Sequence, residues 1–259
     1  MNRSRTPPPA AAGRNPRSRG APSGTAGPAS EAPPAAPAVA PVGEATYRRV
    51  RADIVFGRLA PGQKLTLERM RDAYGSAVGT LREVFNALAS EGLIRAEGAR
   101  GFEVAAISRD DLRDLAHMRL LLESDALRSS FEAGDVEWEA RVVAAHHKLG
   151  SIERQVSAGD RGGEEVFRRY DWEFHNALIS ACGSKLLLEL HAGIYDKYLR
   201  YLVLASVFRG DPVAKEHRAL MECALARDWR AAQAITATHI QDCVAQMLAG
   251  EWWSAEAAR

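Results

Sequence analysis

The chain has 259 residues, 46% apolar and 26% charged, enough to bury one large or two ordinary cores. It holds no run near the ~20 apolar residues that span a membrane, and its N-terminus lacks the apolar core of a secretory signal. The net charge of +1 is unevenly spread: residues 1–43 carry five Arg and one Glu (+4), residues 44–106 ten basic and eight acidic groups (+2), and residues 107–259 nineteen and twenty-four (−5). A basic front and an acidic rear suit an N-terminal part that meets a polyanion; the competing reading is random surface charge.

Residues 1–43 are Pro, Ala, Gly and Ser with Arg3, Arg5, Arg14, Arg17 and Arg19. So little apolar surface cannot offset the entropy of ordering, which predicts a disordered tail. Its arginines either add non-specific attraction to phosphates or are inert. Cys182, Cys223 and Cys243 are odd in number and at no metal-like spacing, which reads as reduced, buried thiols in a cytoplasmic protein.

In residues 44–106 the pattern predicts three helices and a hairpin. Tyr47, Val50, Ile54 and Val55 mark one face of a helix over 46–56, broken by Gly57-Arg58-Leu59-Ala60-Pro61-Gly62. Thr66 is placed to cap a second helix that ends at Tyr74-Gly75. A third begins between Ser76 and Thr80, with Thr80 and Glu83 at capping-box spacing. Its stripe Leu81, Val84, Phe85 and Leu88 faces inward, leaving Arg82 and Asn86 outward. Leu93-Ile94-Arg95 and Phe102-Glu103-Val104 read as strands around a glycine-bearing wing. This is a winged helix-turn-helix pattern. Helix 3 can present Arg82 and Asn86 to a major groove, and Arg100 can reach phosphate. Those residues alone fit equally a small bundle with a solvated face.

The motifs Gly57-x-Leu59-x-Pro61-Gly62-x-x-Leu65, Thr80-Leu81-Arg82-Glu83-Val84, Glu91-Gly92-Leu93-Ile94 and Gly101-Phe102-x-Val104 resemble, in order and spacing, the DNA-binding domain of GntR-type bacterial transcription regulators. The resemblance implies DNA contacts by Thr80, Arg82 and Gly101. Ala77-Val78 depart from it, standing where the family often has Ser or Thr and then Arg, which removes a helix cap and one DNA-contacting arginine.

Residues 107–259 read as an all-α antiparallel bundle of about six helices, so that the chain as a whole is mainly α. Ser108-x-x-Asp111 opens a long helix to about Phe131, and further helices fit 136–157, 163–182, 184–208, 213–227 and 229–249. Asp171 and His175, four apart, share a helix face; His217 and His239 lie in two other helical patterns. Three imidazoles and a carboxylate suit Zn first, then Ni, Mn or Fe. The competing reading makes His217 and His239 surface or satisfied core residues.

Arg119-x-x-Leu122-Glu123, Asp171-x-x-Phe174-His175, Glu216-His217 and His239 resemble the FCD ligand-binding domain of the FadR subfamily of these regulators. The resemblance implies that Asp171, His175, His217 and His239 bind a divalent metal. Arg119 is either an effector-carboxylate ligand or the partner of Glu123, and Arg200 is a second pocket candidate. The expected protein is a cytoplasmic, homodimeric regulator that reads a palindromic operator in double-stranded DNA and senses a small carboxylate or sugar acid. The alternative is an all-helical metalloenzyme acting on a small organic acid.

Overall fold

The computed structural model describes residues 42–98, 101–159, 161–250 and 252–253. The predicted disordered tail and wing residue Arg100 therefore lie outside the described residues, except for Val42 and Gly43, which begin the first helix.

That helix, α1 (Val42–Val55), buries Thr46, Val50 and Ile54 at one-turn spacing. The turn after it holds Gly57 and Gly62, both at φ 72°, a conformation open to glycine and strained for other residues. It delivers the chain to β1 (Lys64–Leu65), a two-residue strand that periodicity did not reveal. β1 is defined by its partner: Leu65 sits opposite Phe102 of β3 (Phe102–Val104), which also pairs antiparallel with β2 (Ile94–Ala96) in the order β1-β3-β2.

Between the strands stand α2 (Leu67–Tyr74) and α3 (Val78–Ser90). Two of the expected caps do not form. Thr66 occupies the N-cap of α2 without a side-chain bond, and the N-cap of α3 is Ala77, which has no oxygen to offer. Thr80 is thus the third residue inside α3, and its spacing to Glu83 is not a capping box. Ser76, the nearest hydroxyl, is buried and bonds Thr46 at 2.6 Å, tying α1 to the turn before α3. The inward stripe is as expected: Leu81, Val84, Phe85 and Leu88 are buried, with Phe85 edge-on to Phe102 at 5.1 Å.

The second region contains six helices among the described residues: α4 (Arg109–Ala133), α5 (Val136–Ser157), α6 (Glu164–Ile179), α7 (Lys185–Leu204), α8 (Asp211–Ala226) and α9 (Trp229–Ala249). Ser108, Asp135, Ser184 and Asp228 each accept the backbone N–H three residues on, at 2.8 to 3.2 Å. Asp111 does not reach back to complete the box at Ser108, because its carboxylate accepts from the Tyr201 hydroxyl. The structure shortens two expected helices and lengthens one. α7 stops at Leu204, where Ser206 turns to φ 49°. α8 starts at Asp211, because Pro212 fits a helix's first turn, where no intrahelical N–H is needed.

Helix α4 packs on α6, α7 and α9, α5 on α6 and α8, and α8 on α9. Two apolar clusters result. One gathers Phe131, Trp138, Phe174, Leu178 and Leu220. The other gathers Leu112, Tyr195, Tyr198, Tyr201, Ile240 and Met247, and takes in Val55 of α1. Through α1 and α7 the winged region is therefore packed against the bundle, and Arg51 of α1 spans the junction by pairing with Asp196 of α7 and with Glu91 at the end of α3.

Candidate metal centre

Asp171 and His175 project from α6, His217 from α8 and His239 from α9. One ligand atom from each lies within 4.8 Å of all the others, and all four residues are buried. The imidazole centroids are 5.1 to 5.6 Å apart. The reading of His217 and His239 as surface residues is thereby excluded: they are 0% and 3% exposed.

Each imidazole has a carboxylate behind its Nδ1. His217 meets Glu153 Oε1 at 2.6 Å, His239 meets Glu216 Oε2 at 2.8 Å, and His175 faces Glu123 Oε2 at 3.6 Å. Such backing fixes ring orientation and tautomer, and directs Nε2 toward the centre. The Nε2 atoms of His175 and His217 are buried without a hydrogen-bond partner among the described residues. His217 Nε2 is 3.3 Å from Asp171 Oδ1 but outside hydrogen-bond geometry. Asp171 Oδ2 accepts from the Tyr195 hydroxyl at 2.6 Å, which leaves Oδ1 for the centre. Buried nitrogens without partners are costly, and a cation among them would satisfy both together with the carboxylate. The donor set therefore fits a divalent metal.

The charges agree. Burial would raise the Asp171 carboxyl, yet the surrounding imidazoles of His217, His175 and His239 hold it well below the usual range. Burial opposes protonation of His217, but Asp171 and Glu153 together lift it to about 9. Burial lowers His239 to about 4 against the pull of Glu216, with His217 and His175 adding to the fall. The cluster is poised as a carboxylate, one protonated and one neutral imidazole, and His175, which burial and Arg119 push down despite Glu123.

Glu123 is the hub beside the centre. It is 2% exposed and accepts from Arg119 Nε at 2.6 Å, with His191 Nε2 at 2.8 Å. Burial would raise it, but Arg119, His175 and His191 hold it well below the usual carboxylate range. Arg119 pairs with Glu123, one of its two sequence readings; its guanidinium lies over the rings of Tyr195 and Tyr198 at 4.6 and 5.0 Å, its Nη2 is buried without a hydrogen-bond partner among the described residues, and the residue lines a small cavity with Asp171 and His239. That cavity measures about 20 Å³, space for a single water-sized molecule. Arg200 is not brought to the cluster. Its Nη2 donates to Ala105 O at 2.7 Å, between the wing and α4.

Sequence reasoning missed Glu153, Tyr195 and His191. None stands in a spacing that points to the cluster, and only the packing of α5 and α7 against the other helices brings them there. Glu123 and Glu216 were visible as parts of motifs, without their role behind histidines.

On the winged region, Arg82 and Asn86 of α3 are solvent-exposed and Thr80 is half-buried beside them. Gly101 stands just before β3 at φ 99°. An exposed helix with an arginine and an asparagine on one face, followed by a hairpin, is the arrangement of a winged helix-turn-helix, here packed against a six-helix bundle.

The comparisons agree on both halves. The family model "Bacterial regulatory proteins, gntR family" matches residues 43–104, and the FCD domain model matches residues 114–242. The chain is 38% identical over 206 residues to the HTH-type transcriptional regulator BphR of Paraburkholderia xenovorans, covering 78% of this chain and 83% of that protein. It is 30% identical over 200 residues to the HTH-type transcriptional repressor GlaR of Escherichia coli, covering 75% and 90%. Among solved structures, E. coli McbR/YncC superimposes with a TM-score of 0.68 at 17% identity, covering 81% of this chain and 98% of that one. A GntR regulator from Rhodococcus sp. RHA1 gives 0.66 at 23%, covering 80% and 97%; at such identities the likeness concerns the fold. The chain belongs to the GntR family of bacterial transcription regulators and carries an FCD domain. It is a DNA-binding regulator, and the metalloenzyme alternative falls, since the family and the relatives are regulators rather than enzymes. No described helix is long and apolar enough to cross a membrane.

Proposed function

We propose that this regulator's grip on operator DNA is set by a small carboxylate bound beside a divalent metal held by Asp171, His175, His217 and His239. The observation that carries the reading is the convergence of three imidazoles and a carboxylate, each imidazole backed by its own glutamate. When bound, the metal supplies a Lewis-acidic centre that attracts anionic oxygen. Zn is the first expectation for this donor set, ahead of Ni, Mn or Fe. The chain's own residues do the rest. Glu123, Glu153 and Glu216 orient the rings, and Tyr195 orients Asp171. Arg119, which lines the cavity and whose buried Nη2 has no hydrogen-bond partner among the described residues, supplies the fork that suits a carboxylate. Because α6, α8 and α9 all contribute, loading the site ties three helices together. The cavity holds one water-sized molecule, so an organic acid enters only with local opening of the helices around it.

DNA is read by α3 through Arg82 and Asn86, with Thr80 of the same helix and Arg100 and Gly101 of the wing as supporting contacts. The functional unit is a homodimer on a palindromic site. Its support is a set of exposed apolar side chains on two helices that pack together, Met118 and Leu121 of α4 with Leu186 and Leu190 of α7, which are 38 to 66% exposed. Elemental analysis of protein purified without a metal-affinity tag tests the centre: about one equivalent of divalent metal is expected, lost in His217→Ala. Metal content that is negligible in both proteins refutes it. Gel shifts on the neighbouring promoter, with and without a panel of small carboxylates and sugar acids, test the effector.

A further inference from the structure

A roomy feature near the junction lies apart from the metal centre. A cleft of about 650 Å³ opens between α1 of the winged region and α6 and α7 of the bundle, within the about 300–1,000 Å³ typical of small-molecule sites. The cavity at the cluster, at about 20 Å³, is far too small for an organic molecule as it stands. The cleft is walled by Ala52, Phe56, Val166, Trp172 and Leu199, a surface that suits a flat apolar body.

Four arginines line it, and they differ in commitment. Arg51 is held by Asp196 and Glu91, and buried Arg168 donates to the carbonyls of Leu202 and Val207. Arg48 and Arg169 are 69% and 60% exposed; among the described residues Arg48 pairs with Glu44 at 2.8 Å, and Arg169 pairs with Glu173 at 4.0 Å and lies over the Tyr170 ring at 5.1 Å. Exposed pairs of this kind contribute little, so an incoming anion recruits both arginines at small cost. One stands on α1 and the other on α6, on opposite sides of the apolar floor.

We propose that this cleft is a second ligand site, separate from the metal centre, for an organic anion with a planar apolar body. The body lies against Phe56 and Trp172, and the anionic group is taken by Arg48 and Arg169. A ligand bridging α1 and α6 binds the winged region where it is seated and not where it is displaced, so occupancy favours the seated state.

The test uses the full-length protein and 2-naphthoate as probe, with the neutral alcohol 2-naphthylmethanol and the non-aromatic succinate as comparisons, followed by titration calorimetry and ligand-observed NMR. Saturable, submillimolar binding of 2-naphthoate is expected, weaker for both comparisons. The double charge reversal Arg48→Glu, Arg169→Glu weakens it by at least about tenfold. Both positions are exposed, so fold and metal content stay unchanged. Ala52→Trp, which fills the floor, abolishes it. His217→Ala leaves it within about twofold, which separates this site from the metal centre. The proposal is overturned if 2-naphthoate does not saturate by about 10 mM, if the charge reversal has no effect, or if His217→Ala removes the binding.

Discussion

The two halves of this regulator are built on opposite interiors. The winged region closes on hydrocarbon: Val50, Ile54, Leu81, Phe85, Leu88 and Val104 are at most 5% exposed, and its chemistry is on the outside. The bundle places its chemistry at the centre, where Arg119, Glu123, Glu153, Asp171, His175, His191, His217 and His239 are all buried. An apolar core stabilises by area removed from water and needs no ligand. A buried ionic network stabilises only when every member is matched, and the Nε2 atoms of His175 and His217, without hydrogen-bond partners among the described residues, show where this one is incompletely matched. One interior is complete without a ligand; the other leaves buried nitrogens that a bound cation would satisfy.

Mutations can break this contrast. The largest effects are expected from the two interiors. Glu123→Leu strands the buried Arg119 guanidinium and the two histidines, at a cost of about 3–5 kcal/mol, read as a fall in the denaturant midpoint together with loss of metal. Phe85→Ala costs the winged region about 3–5 kcal/mol by cavity formation, and abolishes operator binding while metal content per chain holds. If Phe85→Ala also emptied the metal site, the two halves would not be separable in this way. Arg82→Ala is milder: operator affinity falls by about 1–3 kcal/mol in a gel shift, with the melting temperature and metal content unchanged.

The smallest effect is graded and sharpens the electrostatic side of the contrast. His217 is raised from 6.5 to about 9, so in metal-free protein its ion pairs contribute stability that is fully present below pH 6.5 and lost as pH rises through about 9. Metal must displace that proton, so metal affinity moves the other way, rising by about tenfold per pH unit up to about pH 9. Chelator competition at pH 6, 7 and 8 reads this directly, and a flat profile would show that His217 is not a ligand.

Much of the architecture was legible from spacing alone. The bounds of α5 and α9 fall where periodicity and the separators Gly134-Asp135 and Arg227-Asp228 put them, because a helix end depends on local caps that neighbouring residues carry. Strand β1 was not legible, since two residues have no period and exist as a strand only through pairing with β3. The missing caps at Thr66 and Thr80 show the converse: capping spacing alone does not place a helix start, since the N-cap of α3 falls at Ala77 while Ser76 turns inward to Thr46.

The order of elements and the outward face of α3 were carried by helical period, a local property of the chain, and the family resemblance pointed to Asp171, His175, His217 and His239 as a set. Only the tertiary structure decided that these four converge. It also placed Glu153, Tyr195 and His191 behind them, closed the space beside Arg119, sent Arg200 to Ala105, and left a cleft under α1. The reason is physical: a side chain's partner across 64 residues, as for His217 and Glu153, is fixed by how helices pack, and no local pattern encodes that distance.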